Sequence, residues 1–162
     1  MANSPAQSAG PEKGCDHLIV ADVLIGVRGA DHILVSVLDR EWPAAQDYWD
    51  GNWLTTDISI AVGGFSGRIG AALRVDEFRD FRVQLEAVSS AVAGAATFAT
   101  MESCMSVELI CAANGSVQVA GWIADAPGFG NRLQFNLFGL DQTFLPYLIE
   151  QRRSGLGDAS RV

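Results

Sequence analysis

Only two histidines, His17 and His32, could serve as the base of a Ser-His-Asp or Cys-His site in this 162-residue sequence. Such a site needs a histidine that the fold places against the nucleophile and that an acidic group orients. His17 directly follows Cys15 and Asp16, and neighbours in sequence rarely form such a site. His32 follows Asp31 at the start of a strand pattern. The sequence therefore favours exposed histidines at strand edges over a catalytic base.

A serine between glycines, Ser66, lies in residues 63–67. A nucleophile elbow has glycines two positions before and two positions after its serine, and a helix follows it. Here the second glycine is one position too close, and an alternating strand pattern follows. A phosphate-binding loop would need a helix N-terminus and usually a lysine. These glycines are therefore predicted to form a hairpin turn.

Four aspartates, Asp50, Asp57, Asp125 and Asp141, are candidates for acid–base chemistry. That chemistry needs two carboxylates at a set separation with different environments. Nothing in the spacing of these four indicates such a pair. Asp50 and Asp125 are instead predicted to form turns, because an aspartate side chain accepts hydrogen bonds from nearby backbone amides.

The three cysteines show no metal-binding pattern, since their spacing differs from that of a zinc site. Cys104 and Cys111 lie seven positions apart on one predicted strand, which places them on opposite faces and too far apart to form a disulfide. Buried, reduced thiols are the favoured interpretation. The sequence thus predicts neither a metal nor another cofactor.

The formal net charge is −8, with ten arginines and one lysine. Nucleic acids and anionic membranes bind clustered cations, so this charge disfavours both as partners. It favours encounter with a basic protein. No apolar stretch reaches the roughly 20 residues of a spanning helix, and no secretory signal pattern opens the chain. We therefore expect a cytoplasmic protein.

A single α+β domain is predicted over residues 15–153, after a disordered lead-in at 1–14 and before a flexible tail at 154–162. Residues 54–62 alternate strictly between apolar and small or polar side chains, which is typical of a half-buried strand. Residues 18–27 fit a strand or a short helix, and we favour a strand. Asn114 and Gly115 form a strong two-residue hairpin signal.

From Val75 onward the apolar residues recur every three or four positions instead of every second one, which predicts one long amphipathic helix. Asp76 and Glu77 lie where they complement the positive end of the helix dipole, and Gly94 is placed to end the helix. The apolar side of the helix recurs every three or four residues: Val75, Phe78, Phe81, Leu85, Val88 and Val92.

The predicted fold is a mostly antiparallel sheet of six to eight strands, covered on its apolar face by this helix. A short C-terminal helix carries Leu145, Leu148 and Ile149. Trp122 is expected to point away from the apolar face, which makes it a candidate for a contact with the second helix, with a partner or with a second copy of the chain. Aromatic residues at positions 42–53 could pack beneath a loop or bind a partner.

Six motifs in residues 31–152 resemble the WapI-type immunity proteins, an uncharacterised bacterial family. They are Trp-Asp-Gly-Asn-Trp-Leu at 49–54, Gly-Gly-Phe-x-Gly at 63–67, Glu-Phe-x-x-Phe at 77–81, Met-Glu at 101–102, Asp-x-Pro-Gly-x-Gly-Asn at 125–131 and Asp-Gln-Thr-x-Leu-Pro at 141–146. The resemblance implies a cytoplasmic, non-enzymatic protein that neutralises a toxin by binding it. It carries over no set of catalytic residues.

Charge-steered association that covers a basic active-site cleft is the mechanism this resemblance favours. Two alternatives stay open. One is a small-molecule-binding or hydrolytic domain whose pocket, between sheet and helix, holds Asp50 or Asp57 beside Arg68; the other is a homo-oligomer. The candidate partner contacts are Trp49, Asp50, Asn52, Trp53, Asp125 and Asn131.

Overall fold

Two antiparallel four-stranded sheets and two α-helices make up the part of the chain that the computed structural model describes, residues 21–42, 44 and 50–151. The first sheet contains β1 (Ala21–Gly26), β2 (His32–Arg40), β3 (Trp53–Val62) and β4 (Phe65–Arg74), in that spatial order. A single 3₁₀ turn at Asp50–Asn52 leads into β3. Each strand pairs with the next along the chain.

Along the chain, the helix α1 (Val75–Ala91) lies between the strands of this sheet and those of the second. The second sheet contains β5 (Gly94–Ala99), β6 (Met105–Cys111), β7 (Ser116–Ala124) and β8 (Arg132–Asp141), again in chain order. The short helix α2 (Phe144–Glu150) follows β8. The predicted class, α+β with antiparallel strands and one long and one short helix, is confirmed.

The prediction of one sheet with six to eight strands was wrong, because the eight described strands divide equally between two sheets. The physical reason is the position of α1, which follows β4 directly and packs against β5. Its residue Gln84 completes the outer edge of β5: the Thr97 backbone N–H donates to Gln84 Oε1 (2.9 Å), and Gln84 Nε2 donates to the Thr97 carbonyl (3.3 Å). The Thr97 backbone groups at this edge are therefore bonded to α1 and do not pair with β4.

One hydrophobic core joins both sheets and both helices. Ile58 and Ile60 of β3 are buried, as the alternation in the sequence predicted, and so are the α1 residues Phe78, Phe81 and Leu85. The core of the second sheet contains Phe98, whose ring centroid lies 5.1 Å from that of Phe78 and 5.4 Å from that of Phe81.

The outer strand β1 confirms the strand interpretation for the described part of residues 18–27. Its Leu24 backbone N–H donates to Gln151 Oε1 at 2.7 Å, just beyond α2. A glutamine side chain therefore satisfies an edge amide in each sheet, Gln151 at β1 and Gln84 at β5. Occupied edge groups are poor templates for pairing with another chain.

The two described cysteines are free and buried, as expected. Their predicted placement on opposite faces was wrong, because Cys104 precedes β6 and only Cys111 lies in that strand. Both thiols therefore enter the core. The end of α1 also differs from expectation: Val92, with φ of 55°, takes the left-handed position, and Gly94 begins β5.

The predicted lead-in at 1–14 and tail at 154–162 lie outside the described residues, and so does Trp49; only the backbone is described for Asp50. Neither helix in the described part of the chain is long and apolar enough to cross a membrane.

Candidate functional site

The N-terminus of α1 is held by a carboxylate, Asp76, that binds three side chains. Asn52, from the turn before β3, donates through Nδ2 to Asp76 Oδ2. The Arg74 Nη2 atom lies 3.4 Å from Asp76 Oδ2, and the Arg79 Nη1 atom lies 3.0 Å from Asp76 Oδ1. A negative charge here also complements the helix dipole. Asn52 is buried, so its contact positions α1 against the first sheet.

The neighbouring carboxylate, Glu77, connects α1 to the loop before β6. Glu77 Oε1 accepts a hydrogen bond from the Met101 backbone N–H (2.7 Å), and Glu77 Oε2 accepts one from the Arg74 backbone N–H (2.9 Å). The second bond satisfies an amide at the helix start, as the glutamate of a capping box does. Arg74 in turn places its guanidinium carbon 5.8 Å from the centre of the Trp53 ring.

These contacts join three of the six motifs into what we call the junction cluster, where the first sheet, α1 and the loop before β6 meet. The cluster explains why those motif residues occur together: each positions another. Its members are Asn52, Trp53, Arg74, Asp76, Glu77 and Met101.

Burial raises the pKa of Glu77 above its ordinary value, although the two backbone hydrogen bonds and the Arg74 charge oppose that rise. Because the folded state then holds the proton more tightly than the unfolded state, protonated Glu77 favours folding. This contribution is complete below the ordinary glutamate pKa, near 4.3. It is lost as pH increases through the raised folded pKa.

We therefore expect the unfolding free energy of the wild type, minus that of Glu77→Gln, to fall as pH increases from about 4 to about 7. The subtraction removes the titrations that both proteins share. Urea unfolding at a series of pH values measures it. A difference that increases with pH over this range contradicts the assignment.

The turn between β7 and β8 is built by Asp125 and Asn131. Asp125 Oδ1 accepts from the Asn131 backbone N–H and Asp125 Oδ2 accepts from Asn131 Nδ2, both at 2.8 Å. Gly130 has φ of +111°, and a Cβ atom there would collide with Asp125 Oδ1. The prediction that Asp125 forms a turn is confirmed, and Gly130 is the residue that lets the turn close.

A groove of about 380 Å³ lies between β4, the end of β7 and the chain after β2. We call it the acidic groove, because the three charged residues among its described lining are carboxylates, Glu41, Glu102 and Asp125. Two indole rings, Trp42 and Trp53, also line it, and Trp42 is 57% exposed. Carboxylates beside indole rings favour a cationic side chain.

A second groove of about 390 Å³ continues along β4 and shares Ile69, Ala124 and Asp125 with the first. We call it the mixed groove, because Arg68 and Arg132 line it together with Asp125. Arg68 donates to both carboxylate oxygens of Asp57 at 2.7 Å, and Asp57 itself lies outside both grooves.

The structure brings three of the six predicted contact residues to these grooves. Trp53 and Asp125 line the acidic groove, and Asp125 and Asn131 line the mixed groove. Asn52 lies beneath them in the junction cluster. Trp49 falls outside the described residues, and the side chain of Asp50 is not described.

The sequence analysis missed Glu41 and Glu102 as groove residues. The Met-Glu motif was a signal for Glu102, but its position beside Asp125 depends on how β4 and the β7–β8 turn pack. The second sheet carries a further exposed feature: the Arg132 guanidinium stacks 3.8 Å from the centre of the Trp122 ring. Trp122 thus points away from the core, as predicted.

Candidate catalytic residues are not assembled in the described part of the chain. His32 Nδ1 lies 2.7 Å from the carbonyl oxygen of Ala30, in the turn that precedes β2. No hydrogen bond joins His32 to a described serine or cysteine. Burial raises the pKa of the Cys104 thiol, which disfavours the reactive thiolate. Among the described residues, no group of three or more His, Cys, Asp or Glu could hold a metal ion.

Comparison with known proteins places these motifs in a family. No curated protein and no solved structure matches the chain. The model of the Immunity protein WapI-like family matches residues 24–155, which begin in β1 and extend beyond α2. The match includes all six motifs and both grooves. The chain therefore belongs to the immunity protein WapI-like family.

Proposed function

We propose that this protein neutralises a protein toxin by binding it, without catalysing a reaction. Membership of the immunity protein family is the observation that carries the proposal. The side chains of the site support it, because Asn52, Asp76 and Glu77 are engaged in holding the fold together. What they hold in place is a pair of open grooves, which suit a docking surface.

The proposed contact surface is the rim of these grooves. Trp53, Asp125 and Asn131 contribute directly, and tryptophan is common among residues that dominate binding energy. Asn52 is buried and contributes indirectly, because its hydrogen bond to Asp76 positions α1 against β3. Trp49 and Asp50, which precede Asn52 in the chain, complete the proposed contact set.

A basic toxin is the partner that the charges favour. The chain carries a net charge of −8, and the acidic groove adds three carboxylates at one place. Opposite charge accelerates encounter and orients the partners. We propose that the complex forms in the cytoplasm and covers the basic active-site cleft of the toxin.

The test uses the product of a neighbouring toxin-like gene. We expect co-expression of this protein to restore growth to cells that produce the toxin, and calorimetry with an inactivated toxin to give a one-to-one complex. The association rate should fall roughly tenfold or more between low and physiological salt. Absence of both binding and growth protection overturns the proposal. Sedimentation of the protein alone reports whether it self-associates.

A further inference from the structure

The outer edge of β4 differs from the edges of β1 and β5. β4 has ten residues and, within the described residues, pairs with β3 alone. An antiparallel edge strand directs alternate backbone N–H and C=O groups away from its partner strand. At β1 and β5, glutamine side chains bond such edge groups at Leu24 and Thr97.

Both grooves follow this edge of β4. Residues 65–69 line the mixed groove and residues 69–72 line the acidic groove. Successive side chains of a strand point to opposite faces of its sheet. Lining by consecutive residues is therefore typical of a groove along the edge of a strand, and the mixed groove also reaches Ile60 of β3. The two grooves therefore form a continuous edge trough, about eight residues long.

The edge trough is accessible to another backbone because its β4 wall carries small residues. Gly70, Ala71 and Ala72 line the acidic groove, and a Cβ atom at Gly70 would meet no other atom within 4 Å. The opposite wall comes from the end of β7 and the turn that Asp125 stabilises. Glycine within a strand often marks the close approach of a second backbone.

We propose that an extended, basic segment of the toxin occupies the edge trough and adds to β4 as a fifth strand of the first sheet. An arginine or lysine of that segment enters the acidic groove, between the rings of Trp42 and Trp53 and the carboxylates of Glu41 and Glu102. Strand addition supplies the backbone hydrogen bonds, and the acidic groove supplies the preference for a cation. This inference rests on the proposed function, since it names how that partner binds.

Charge exchange at Glu102 tests the acidic groove. We expect Glu102→Lys to weaken binding of the inactivated toxin by about tenfold or more. Glu108→Lys is the matched control, because Glu108 is equally exposed but lies on β6, outside both grooves. It changes the net charge by the same amount and should alter the dissociation constant by less than about threefold. Equal effects of the two variants contradict the inference.

Amide hydrogen exchange tests the added strand. We expect the toxin to slow exchange in residues 65–72, because the outward amides of β4 become hydrogen-bonded. Gly70→Val should reduce both this protection and the affinity while leaving the unfolding midpoint nearly unchanged. Protection confined to the outer face of the second sheet, around Trp122, would overturn the inference and leave the proposed function intact.

A peptide test separates failure of the inference from failure of the proposed function. The probes are two synthetic peptides that alternate threonine with arginine or with glutamate. We expect the arginine peptide, and not the glutamate peptide, to shift the backbone NMR signals of β4. Shifts with this peptide but no binding of the toxin would reject only the proposed function and its toxin assignment. No response to either peptide or to the toxin rejects both.

Discussion

We expect Phe98→Ala to lower the free energy of unfolding by about 3–5 kcal/mol, the usual range for deleting a buried phenylalanine ring. Phe98 is 3% exposed and connects β5 to α1 through its contacts with Phe78 and Phe81. The substitution removes both ring pairs and leaves a cavity where the second sheet meets the helix. Urea unfolding, followed by far-ultraviolet circular dichroism, measures the loss.

Phe138→Ala is the matched control for this prediction. Phe138 lies on β8 but is 76% exposed, so the same substitution removes little buried area. Its effect should stay within about 0.5 kcal/mol, as for other surface changes. Similar losses for the two variants would show that Phe98 does not occupy the core position described above.

Gly121→Ala should destabilise the second sheet by about 1–3 kcal/mol or more, the range found for overpacked cores. A Cβ atom at Gly121 would lie 2.8 Å from the Phe135 ring and would collide with the Ser106 carbonyl on β6. The carbonyl belongs to the backbone, so relief requires β6 and β7 to move apart. Thermal unfolding of the variant measures the effect.

Gly64→Ala provides the comparison, because an added Cβ at Gly64 meets no atom within 4 Å. We expect its melting temperature to stay near that of the wild type. If Gly121→Ala is equally well tolerated, then Phe135 and β6 pack less closely around Gly121 than the structure has them.

The sequence pattern predicted the strands and the long helix well because each is determined locally. Alternation at Ile58 and Ile60 identified the buried side of β3, and the spacing of Phe78 and Phe81 identified the buried side of α1. Alternation does not determine which strands are neighbours. The division into two sheets depends on α1 lying beside β5, through Gln84, and no local pattern encodes that contact.

In the candidate site, too, local features could be predicted from the sequence and contacts between distant segments could not. Turn chemistry identified Asp125, whose bonds to Asn131 are local. The acidic groove also requires Glu41 and Glu102, which come from separate segments and meet Asp125 only after the sheets have packed. The motif residues Asn52 and Glu77 make contacts that hold α1 against its neighbours.

The unequal edges of the first sheet limit how copies of this protein could assemble. Among the described residues β4 pairs with β3 alone, whereas β1 has its Leu24 amide bonded to Gln151. Two copies that joined β4 to β4 would each use the side of this strand that has no strand partner among the described residues. A pair formed in this way is closed, because a β4-to-β4 contact uses the same edge of both copies and leaves neither β4 edge for a third copy.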